Sequence, residues 1–228
     1  MKNIKAVFWK QLKDTLKNKT ILIQFVMFPL MAVLMEHFVV VEGMPEHFFV
    51  KLFASMYIGM APICSMSSIL AEEKETCTLK VLLMSDVKPA EYLLGTGSYV
   101  WAACMAGACV LAFTGEYKGR EFAWFLLIMA VGIMASLLIG AAVGTWSKNQ
   151  MAAISLGMPV MIVFAFLPML SMFNETIKKA ARFAYSEQID IMINNIGVVS
   201  AENMTVILLN IVIALGLFLF AYRRCGLS

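Results

Sequence analysis

Six apolar runs, each close to the length that crosses a lipid bilayer, constrain this chain more than any other feature. They cover about residues 20–41, 49–70, 90–114, 122–146, 151–173 and 205–222. A transmembrane helix needs about 20 mostly apolar residues, and a waterless hydrocarbon core admits only helices and closed barrels. Only 14% of the residues are charged, against about 25% in a soluble domain. The sequence therefore predicts an all-α membrane protein with six transmembrane helices.

The first 19 residues predict an amphipathic helix that precedes the first span. Ile4, Phe8, Leu12 and Leu16 recur every four positions and so share one helical face. Six lysines surround that face, and a basic amphipathic helix of this kind lies in the lipid headgroup layer. We predict an elbow helix over 1–19 that leads directly into the first span.

The distribution of basic residues predicts the orientation of the spans. With six spans both termini lie on one side of the membrane, and twelve of the eighteen Lys and Arg residues fall on that side. Short cytoplasmic loops are enriched in Lys and Arg. Both termini and the segment between spans two and three are therefore predicted to be cytoplasmic.

That segment, residues 71–95, is charged throughout and yet contains a short apolar patch. Leu79, Val81, Leu82 and Leu83 form the patch, with acidic and basic residues on both sides of it. A loop that is only solvated does not need such a patch. We interpret the segment as a cytoplasmic docking helix held between two spans.

Two further segments carry structural predictions. Gly132, Ser136 and Gly140 form a ladder of small residues in span four, which allows close helix contact. Residues 174–204 are more polar and include an apolar stripe at helical spacing, at Ile189, Met192, Ile193 and Ile196. We expect one or two short helices there, lying at the outer membrane surface.

Catalytic and metal-binding motifs are missing from the sequence. It has no G-x-x-x-x-G-K-[ST] phosphate loop and no H-E-x-x-H pattern, and the five cysteines form no C-x-x-C pair. These absences disfavour a membrane enzyme, a metal site and a disulfide framework. Glu72 and Glu73 begin the E-E-x-x-x-R pattern of intramembrane proteases, but Cys77 takes the place of the arginine.

Ionisable residues within the spans are also rare, which bears on how a transporter could be powered. Gradient-driven carriers usually need buried acids or bases. Glu36 and His37, late in span one, are the candidates here; they either contact substrate at an outer gate or face water at the interface. A transporter of this composition would receive its energy from another protein.

The docking segment resembles a known family signature. The runs ETCTLKVLLMSDV (75–87) and EYLLG (91–95) are similar to the coupling-helix motif of ABC-2 type permeases, Gly-Thr-Leu-Glu-x-Leu-Leu-x-Ser-Pro-Val followed by Glu-x-x-Leu-Gly-Lys. The basic amphipathic start, Pro29 in span one and the start of span five, with Ser147, Lys148 and Ala152, are also similar. The chain departs from the motif at four positions, Cys77 for glycine, Lys80 for glutamate, Asp86 for proline and Thr96 for lysine.

The resemblance implies one ABC-2 transmembrane domain over 1–228. Its parts would be the elbow helix (1–19), spans one and two (20–71), the coupling segment (72–88), spans three and four (89–146), span five (147–173), an extracellular helical loop (174–204) and span six with the C-terminus (205–228). The function would be the permease subunit of an ATP-binding cassette exporter in the bacterial cytoplasmic (inner) membrane. It would move an amphipathic drug, peptide or lipid-like cargo outward.

The resemblance also implies the partners and the sites. Separate ATPase subunits would bind ATP and Mg, this chain would bind no cofactor or nucleic acid, and a second copy or a related permease would complete the path among membrane lipids. The residues expected to dock the ATPase are Glu75, Thr78, Leu79, Leu82 and Leu83, with the helix around Lys5 to Lys17 as lateral support. The expected substrate path is lined by Phe28, Pro29, Met56, Met60 and Phe164. The alternative is a motor-free membrane protein, such as an immunity or scaffold protein.

Overall fold

A computed structural model describes residues 2–39, 43–198 and 200–225, and every regular element in this part of the chain is an α-helix. Six of the helices are long and apolar enough to cross a membrane, which confirms the predicted fold class. In chain order the helices are α1 (Lys2–Lys17), α2 (Lys19–Phe38), α3 (Phe48–Glu75), α4 (Thr78–Met84), α5 (Pro89–Thr114), α6 (Arg120–Trp146), α7 (Gln150–Phe173), α8 (Glu175–Ala181), α9 (Tyr185–Asn194) and α10 (Ala201–Cys225).

Helix α3 lies at the centre of the bundle and packs against α2, α5, α6, α7 and α9. Its contact with α6 is close because glycines face it. A Cβ atom added to Gly140 would lie 2.8 Å from the carbonyl oxygen of Ile63, and one added to Gly132 would lie 2.9 Å from the side chain of Ile58. Ser136, between them, donates a hydrogen bond to the Ile58 carbonyl at 2.7 Å. The predicted ladder of small residues is therefore confirmed as a helix contact.

Both ends of the described chain lie at one end of the bundle together with α4, and we call this the α4 end. Near the N-terminus, Asn3 donates to Glu91 at the start of α5, at 2.9 Å. Near the C-terminus, the Arg224 guanidinium lies 5.7 Å from the Trp146 ring at the end of α6. Helix α1 is present as predicted, but its place in the headgroup layer and the orientation of the bundle stay predictions.

The short helices α8 and α9 are present, but the prediction that they lie at the membrane surface is wrong. The Tyr185 ring at the start of α9 lies 4.8 Å from the Phe164 ring, and Tyr185 shares a hydrogen bond of 2.8 Å with Ser136 in the middle of α6. Phe164 lies about 14 Å from the end of α7, at 1.5 Å per residue. Asn210 of α10 also donates to the Phe183 carbonyl at 2.8 Å.

The pair α8–α9 therefore enters the bundle from the end opposite to α4 and returns to it. The apolar stripe of α9 explains this position, because Ile189, Met192 and Ile193 are buried among the spans. We call this opposite side of the bundle the α9 end.

Candidate functional site

The coupling segment forms a short helix held between two residues with positive φ. Helix α3 ends at Glu75, Cys77 has a φ of 57°, α4 covers Thr78–Met84, and Asp86 has a φ of 60° before α5 starts at Pro89. A residue with left-handed backbone geometry turns the chain sharply, so few residues are needed for the turn. The segment can therefore present a separate seven-residue helix at the α4 end without interrupting either span.

The two faces of α4 differ in exposure. Leu79 has 0% of its surface exposed and belongs to the main apolar core, and Leu82 packs partly against that core. On the other face, Val81 is 62% exposed and Met84 is 87% exposed. The side chain of Leu83 lies outside the described part of the chain.

These exposures correct the predicted docking residues. Leu79 has no surface to offer a partner in this structure; its side chain instead fixes α4 to its own bundle. Among the described side chains, the apolar residues that α4 presents outward are Val81 and Met84, and the exposed Lys80 lies between the buried and outer faces of α4. The apolar pattern of the sequence located the helix but did not distinguish its two faces, because α4 makes only two turns.

Glu75, the last residue of α3, connects that helix to α7, and Thr78, the first residue of α4, contacts the connection between α3 and α4. The Glu75 carboxylate accepts a hydrogen bond of 3.0 Å from the backbone N–H of Gln150, the first residue of α7. An acidic group at a helix N-terminus is favourable because the first amides have no partner within the helix. The Thr78 hydroxyl lies 2.9 Å from the hydroxyl of Thr76. A displacement of α4 would therefore act on the ends of both α3 and α7.

Helix α1 is bonded to the bundle through a buried carboxylate that the sequence did not single out as structural. Glu73 is 6% exposed, and its Oε1 atom accepts hydrogen bonds from Lys10 and, at 2.9 Å, from Gln11. Gln11 also donates to the Thr96 hydroxyl at 3.3 Å. Glu73 thus joins α1 to α3, and Gln11 extends the connection to α5.

Close packing supports this attachment. A Cβ atom added to Gly95 would lie 2.7 Å from the Val7 side chain, so Gly95 lets α1 approach α5 closely. The sequence offered a signal for this contact, because Gly95 ends the EYLLG run that is similar to the family motif, directly before Thr96. Thr96 is fully buried, and the positive charge beside Glu73 comes from α1 instead.

The charges around Lys10 favour its protonated form. Burial by itself would lower the pKa of Lys10, but hydrogen bonds and charges from Glu73 and Asp14 outweigh burial and raise that pKa above its ordinary value of 10.5. The Lys10 ammonium lies 3.1 Å from the Asp14 carboxylate. Lys10 therefore stays charged at any physiological pH and holds α1 in place by charge as well as by hydrogen bonding.

The predicted substrate-path residues lie mostly inside the bundle. Phe28 and Met56 are 7% and 9% exposed, and Pro29 is also buried. The Phe28 ring lies 6.3 Å from the Tyr57 ring, in the contact between α2 and α3. Phe28, Pro29 and Met56 therefore lie in the core of the single chain, and their role in a substrate path between two copies stays a prediction.

Met60 and Phe164 keep part of their surface exposed. Phe164 also packs on Tyr185, so any path that includes Phe164 runs beside α9.

The predicted outer-gate pair is not brought together. Glu36 lies 3.3 Å from the His47 Nδ1 atom and accepts a hydrogen bond from the Val50 N–H, also at 3.3 Å. His37 is exposed, with its Nδ1 atom 3.0 Å from the Val33 carbonyl oxygen. Glu36 therefore fastens α2 to the start of α3, and His37 takes no part in that contact.

The α9 end also contains two acidic groups that sequence analysis did not single out. Glu187 is 3% exposed and accepts a hydrogen bond of 2.8 Å from Ser171. Asp190, one turn later, accepts a bond of 3.0 Å from Asn194, and burial, followed by the charge of Glu187, raises the pKa of Asp190 to about 6. Both acids lie on α9, which does not cross the membrane.

A family model for ABC-2 family transporter proteins matches residues 2–223. The chain belongs to the ABC-2 transporter family. A search of curated proteins gave no match. Membership makes the chain a multi-pass membrane protein and a membrane subunit of an ABC transporter, without catalytic activity of its own. Permeases of the ABC-2 family normally pair with ABC ATPase subunits, and α4 is the element that the sequence motif predicts for that contact.

Proposed function

We propose that this ABC-2 permease exports an amphipathic cargo and is driven by separate ATPase subunits that dock on α4. The observation that carries this proposal is the division of α4 into two faces. Leu79 anchors the helix in the core, while Val81 and Met84 leave apolar surface open to a partner. The ATPase subunits would bind ATP and Mg, and this chain would bind neither.

The arrangement of α4 supports a mechanical coupling. The Thr78 hydroxyl at the start of α4 lies 2.9 Å from the Thr76 hydroxyl, and Thr76 donates to the Glu72 carbonyl of α3 at 2.9 Å. The adjacent Glu75 bonds the end of α3 to Gln150 at the start of α7. A push on α4 would therefore tilt two spans together. The buried attachment of α1 at Glu73 would steady the same end of α3.

The cytoplasmic side is assigned by charge. The α4 end contains the lysines of α1, Lys74, Lys80, Lys88, Lys148, Arg223 and Arg224. Such enrichment favours the cytoplasmic side, where ATP is available to a motor subunit. On this basis the protein is proposed to lie in a bacterial cytoplasmic membrane, with α9 on the outer side.

A second copy, or a related permease, would complete the path. In the most apolar stretch of α2, and likewise of α7, only 28% of the residues are buried within one chain. Exposed side chains on them include Leu30, Met31, Ile162 and Val163. The path would run between these faces, and their apolar character favours a drug, peptide or lipid-like cargo over an ion.

Co-purification tests the docking surface. The double variant Val81→Asp/Met84→Asp should lose the ATPase subunits that co-purify with the wild-type protein, measured by mass spectrometry and by vanadate-sensitive ATP hydrolysis. Val198→Asp is the matched control, because Val198 is 70% exposed and lies beyond α9. Substituting Leu79 would not discriminate, since a charge in the core would unfold the bundle.

Retention of the ATPase by the double variant would refute docking on α4. Full cellular function with no ATPase bound would favour the motor-free alternative.

A further inference from the structure

An apolar groove runs along the membrane depth between α5 and α10, with α6 as its floor. It consists of two cavities of about 460 Å³ and 390 Å³ that share Trp101 and Met134. The larger cavity lies toward the α4 end, between Leu94 and Gly97 of α5 and Phe218 of α10. The smaller continues toward the α9 end, past Ile207 and Leu208 of α10. Because the cavities adjoin end to end, the groove is elongated along the spans.

Small residues create the depth of the groove. A Cβ atom added to Gly97 would have no neighbouring atom within 4 Å, unlike one added to Gly95 two residues earlier. Gly97 therefore faces the groove. Ala141 of α6 lines the same cavity. A chain-like molecule can therefore approach the backbones of α5 and α6.

The lining of the groove selects a hydrocarbon. The Trp101 side chain in the lining has one hydrogen-bond donor, the indole N–H, which donates to the Ala130 carbonyl at 3.3 Å. The Ser98 hydroxyl donates to the Gly95 carbonyl at 2.9 Å. With these donors satisfied within the chain, a polar occupant would lose its own hydrogen bonds on entry, and burial of polar groups without partners is costly.

The end of the groove toward α4 is flanked by positive charge. Tyr222 extends the groove-facing side of α10 beyond Phe218, with the two rings 6.1 Å apart, and the exposed Arg223 follows. The Arg224 guanidinium lies instead over the Trp146 ring, which does not line the groove. The first turn of α5 contains one acidic residue, Glu91, which accepts a hydrogen bond of 2.9 Å from Asn3. Basic residues next to a span attract anionic lipid headgroups.

We propose that this groove binds one acyl chain of an anionic membrane phospholipid, with the lipid phosphate at Arg223. The lipid is a resident component of the subunit rather than its cargo, since none of the described side chains of α2 or α7 lines the groove. The proposal does not depend on the proposed export function, because it rests on the groove and the charges of α10 alone.

Quenching of Trp101 fluorescence measures binding directly. A variant that keeps Trp101 and carries Trp9→Phe, Trp124→Phe and Trp146→Phe would be purified in detergent and titrated with dibrominated phosphatidylglycerol. Bromine quenches indole emission at contact distance, and Trp101 borders both cavities. Dibrominated phosphatidylcholine is the zwitterionic comparison.

Gly97→Leu, made in that background, should weaken the apparent affinity about tenfold or more, because the new side chain displaces several methylene groups of the acyl chain. Gly216→Leu is the matched control: Gly216 also has no atom within 4 Å of an added Cβ, but it does not line the groove. The affinity of the Gly216→Leu variant for phosphatidylglycerol should equal that of the parent. Arg223→Gln should weaken binding of phosphatidylglycerol at least about fivefold and leave phosphatidylcholine unchanged.

Equal affinities for the Gly97→Leu and Gly216→Leu variants would overturn the proposal. So would equal affinity for the two lipids in the parent, which would remove the role of Arg223. A change in oligomer mass on Gly97→Leu, seen by light scattering, would mean that a second copy occupies the groove instead. If Gly97→Leu fails to fold, Gly97→Ala should shift the affinity in the same direction by a smaller factor.

Discussion

At the scale of single residues, buried carboxylates fix the positions of the parts that lie outside the spans. Glu73 holds α1 at one end of the bundle, and Glu187 holds α9 at the other. Removing a charge from water is expensive, so such a group stabilises a fold only while its partners are present. Variants of the partners are therefore more informative than variants of exposed charges.

Lys10→Met should lower the stability of the bundle by about 1–3 kcal/mol, because it leaves the buried Glu73 carboxylate without its positively charged partner. Lys13→Met, on the exposed face of the same helix, should change stability by less than about 0.5 kcal/mol. Thermal unfolding in detergent measures both. A smaller loss for Lys10→Met than for Lys13→Met would contradict the role given to Glu73.

The raised pKa of Asp190 predicts a pH-dependent stability. The folded state holds the Asp190 proton up to a pH of about 6, whereas the unfolded chain releases it near 3.8. The folded state therefore binds more protons in this window, and the free energy of unfolding falls as the pH rises from about 4 to about 6. The charged groups facing this region are Glu187 on α9, Lys51 on α3 and, beside Glu187, Lys178 on α8.

Asp190→Asn should therefore stabilise the protein by about 1–3 kcal/mol at pH 7.5 and should lose most of this advantage at pH 4. Glu175→Gln, at an exposed position of α8, is the control and should behave like the parent at both pH values. Thermal unfolding in detergent across this pH range provides the measurement. An advantage that grows as the pH falls would show that the sign is wrong.

At the scale of elements, backbone geometry explains two departures of the coupling segment from the family motif. Cys77 occupies a position where glycine is usual, and its φ of 57° is one that glycine adopts without strain. Asp86 occupies a position where proline is common, but its φ of 60° excludes proline. Asp tolerates left-handed backbone better than most residues. The turn before α4 thus keeps the geometry that suits glycine, while the turn after it requires a residue other than proline.

Cys77→Gly should raise the free energy of unfolding by about 1 kcal/mol, because it relieves the left-handed strain of a side chain at this turn. Thr76→Gly is the matched control: Thr76 has a φ of −80°, and its hydroxyl donates to the Glu72 carbonyl. It should lower stability. Thermal unfolding distinguishes the two, and a loss of stability on Cys77→Gly would contradict the assigned strain.

The contact between α3 and α6 gives a second prediction at this scale. Gly140→Ala should destabilise the bundle strongly, because the new methyl group would lie 2.8 Å from the Ile63 carbonyl oxygen and force two central spans apart. Overpacking of this kind costs about 1–3 kcal/mol. Gly216→Ala, on an open face of α10, should be neutral or stabilising. Thermal unfolding in detergent compares them, and equal stability would contradict the close contact.

At the scale of the whole molecule, the bundle distributes its apolar surface unevenly. In the most apolar stretch of each helix, 56% of the residues are buried in α3, whereas 28% are buried in α2 and in α7 and only 17% in α10. Lipid can cover all of this surface, so exposure alone does not mark an interface. We propose that the α2 and α7 faces contact a second permease and that the outer face of α10 contacts lipid.

Leu30→Trp should therefore disrupt the assembly of two permeases, because a large ring would clash in a packed interface between them. Leu209→Trp, on α10, should leave the assembly intact. The two leucines are similarly exposed, at 51% and 56%, so the change is matched. Light scattering of the purified protein in detergent reports the mass. A dimer that survives Leu30→Trp would move the interface away from α2.

The sequence by itself determined the fold class, the six spans and the site of the coupling helix. Apolar runs of membrane length have one solution when backbone groups must bond within their own segment. Local patterns also gave the approximate helix ends, although α3 extends to Glu75 and α10 starts at Ala201, beyond the predicted apolar cores. These features depend on residues that are close together in the sequence, so they can be predicted from it.

Only the tertiary structure decided which face of each element is covered. It buried Leu79 and exposed Met84 on the same two-turn helix, and it packed Phe28 into the core. It also brought Gln11 to Glu73 across 62 positions in the chain and carried Tyr185 into the middle of the bundle. In a membrane nearly every position of a span is apolar, so hydrophobic pattern no longer separates inside from outside. The separation comes instead from close packing at small residues and from hydrogen bonds between distant polar groups.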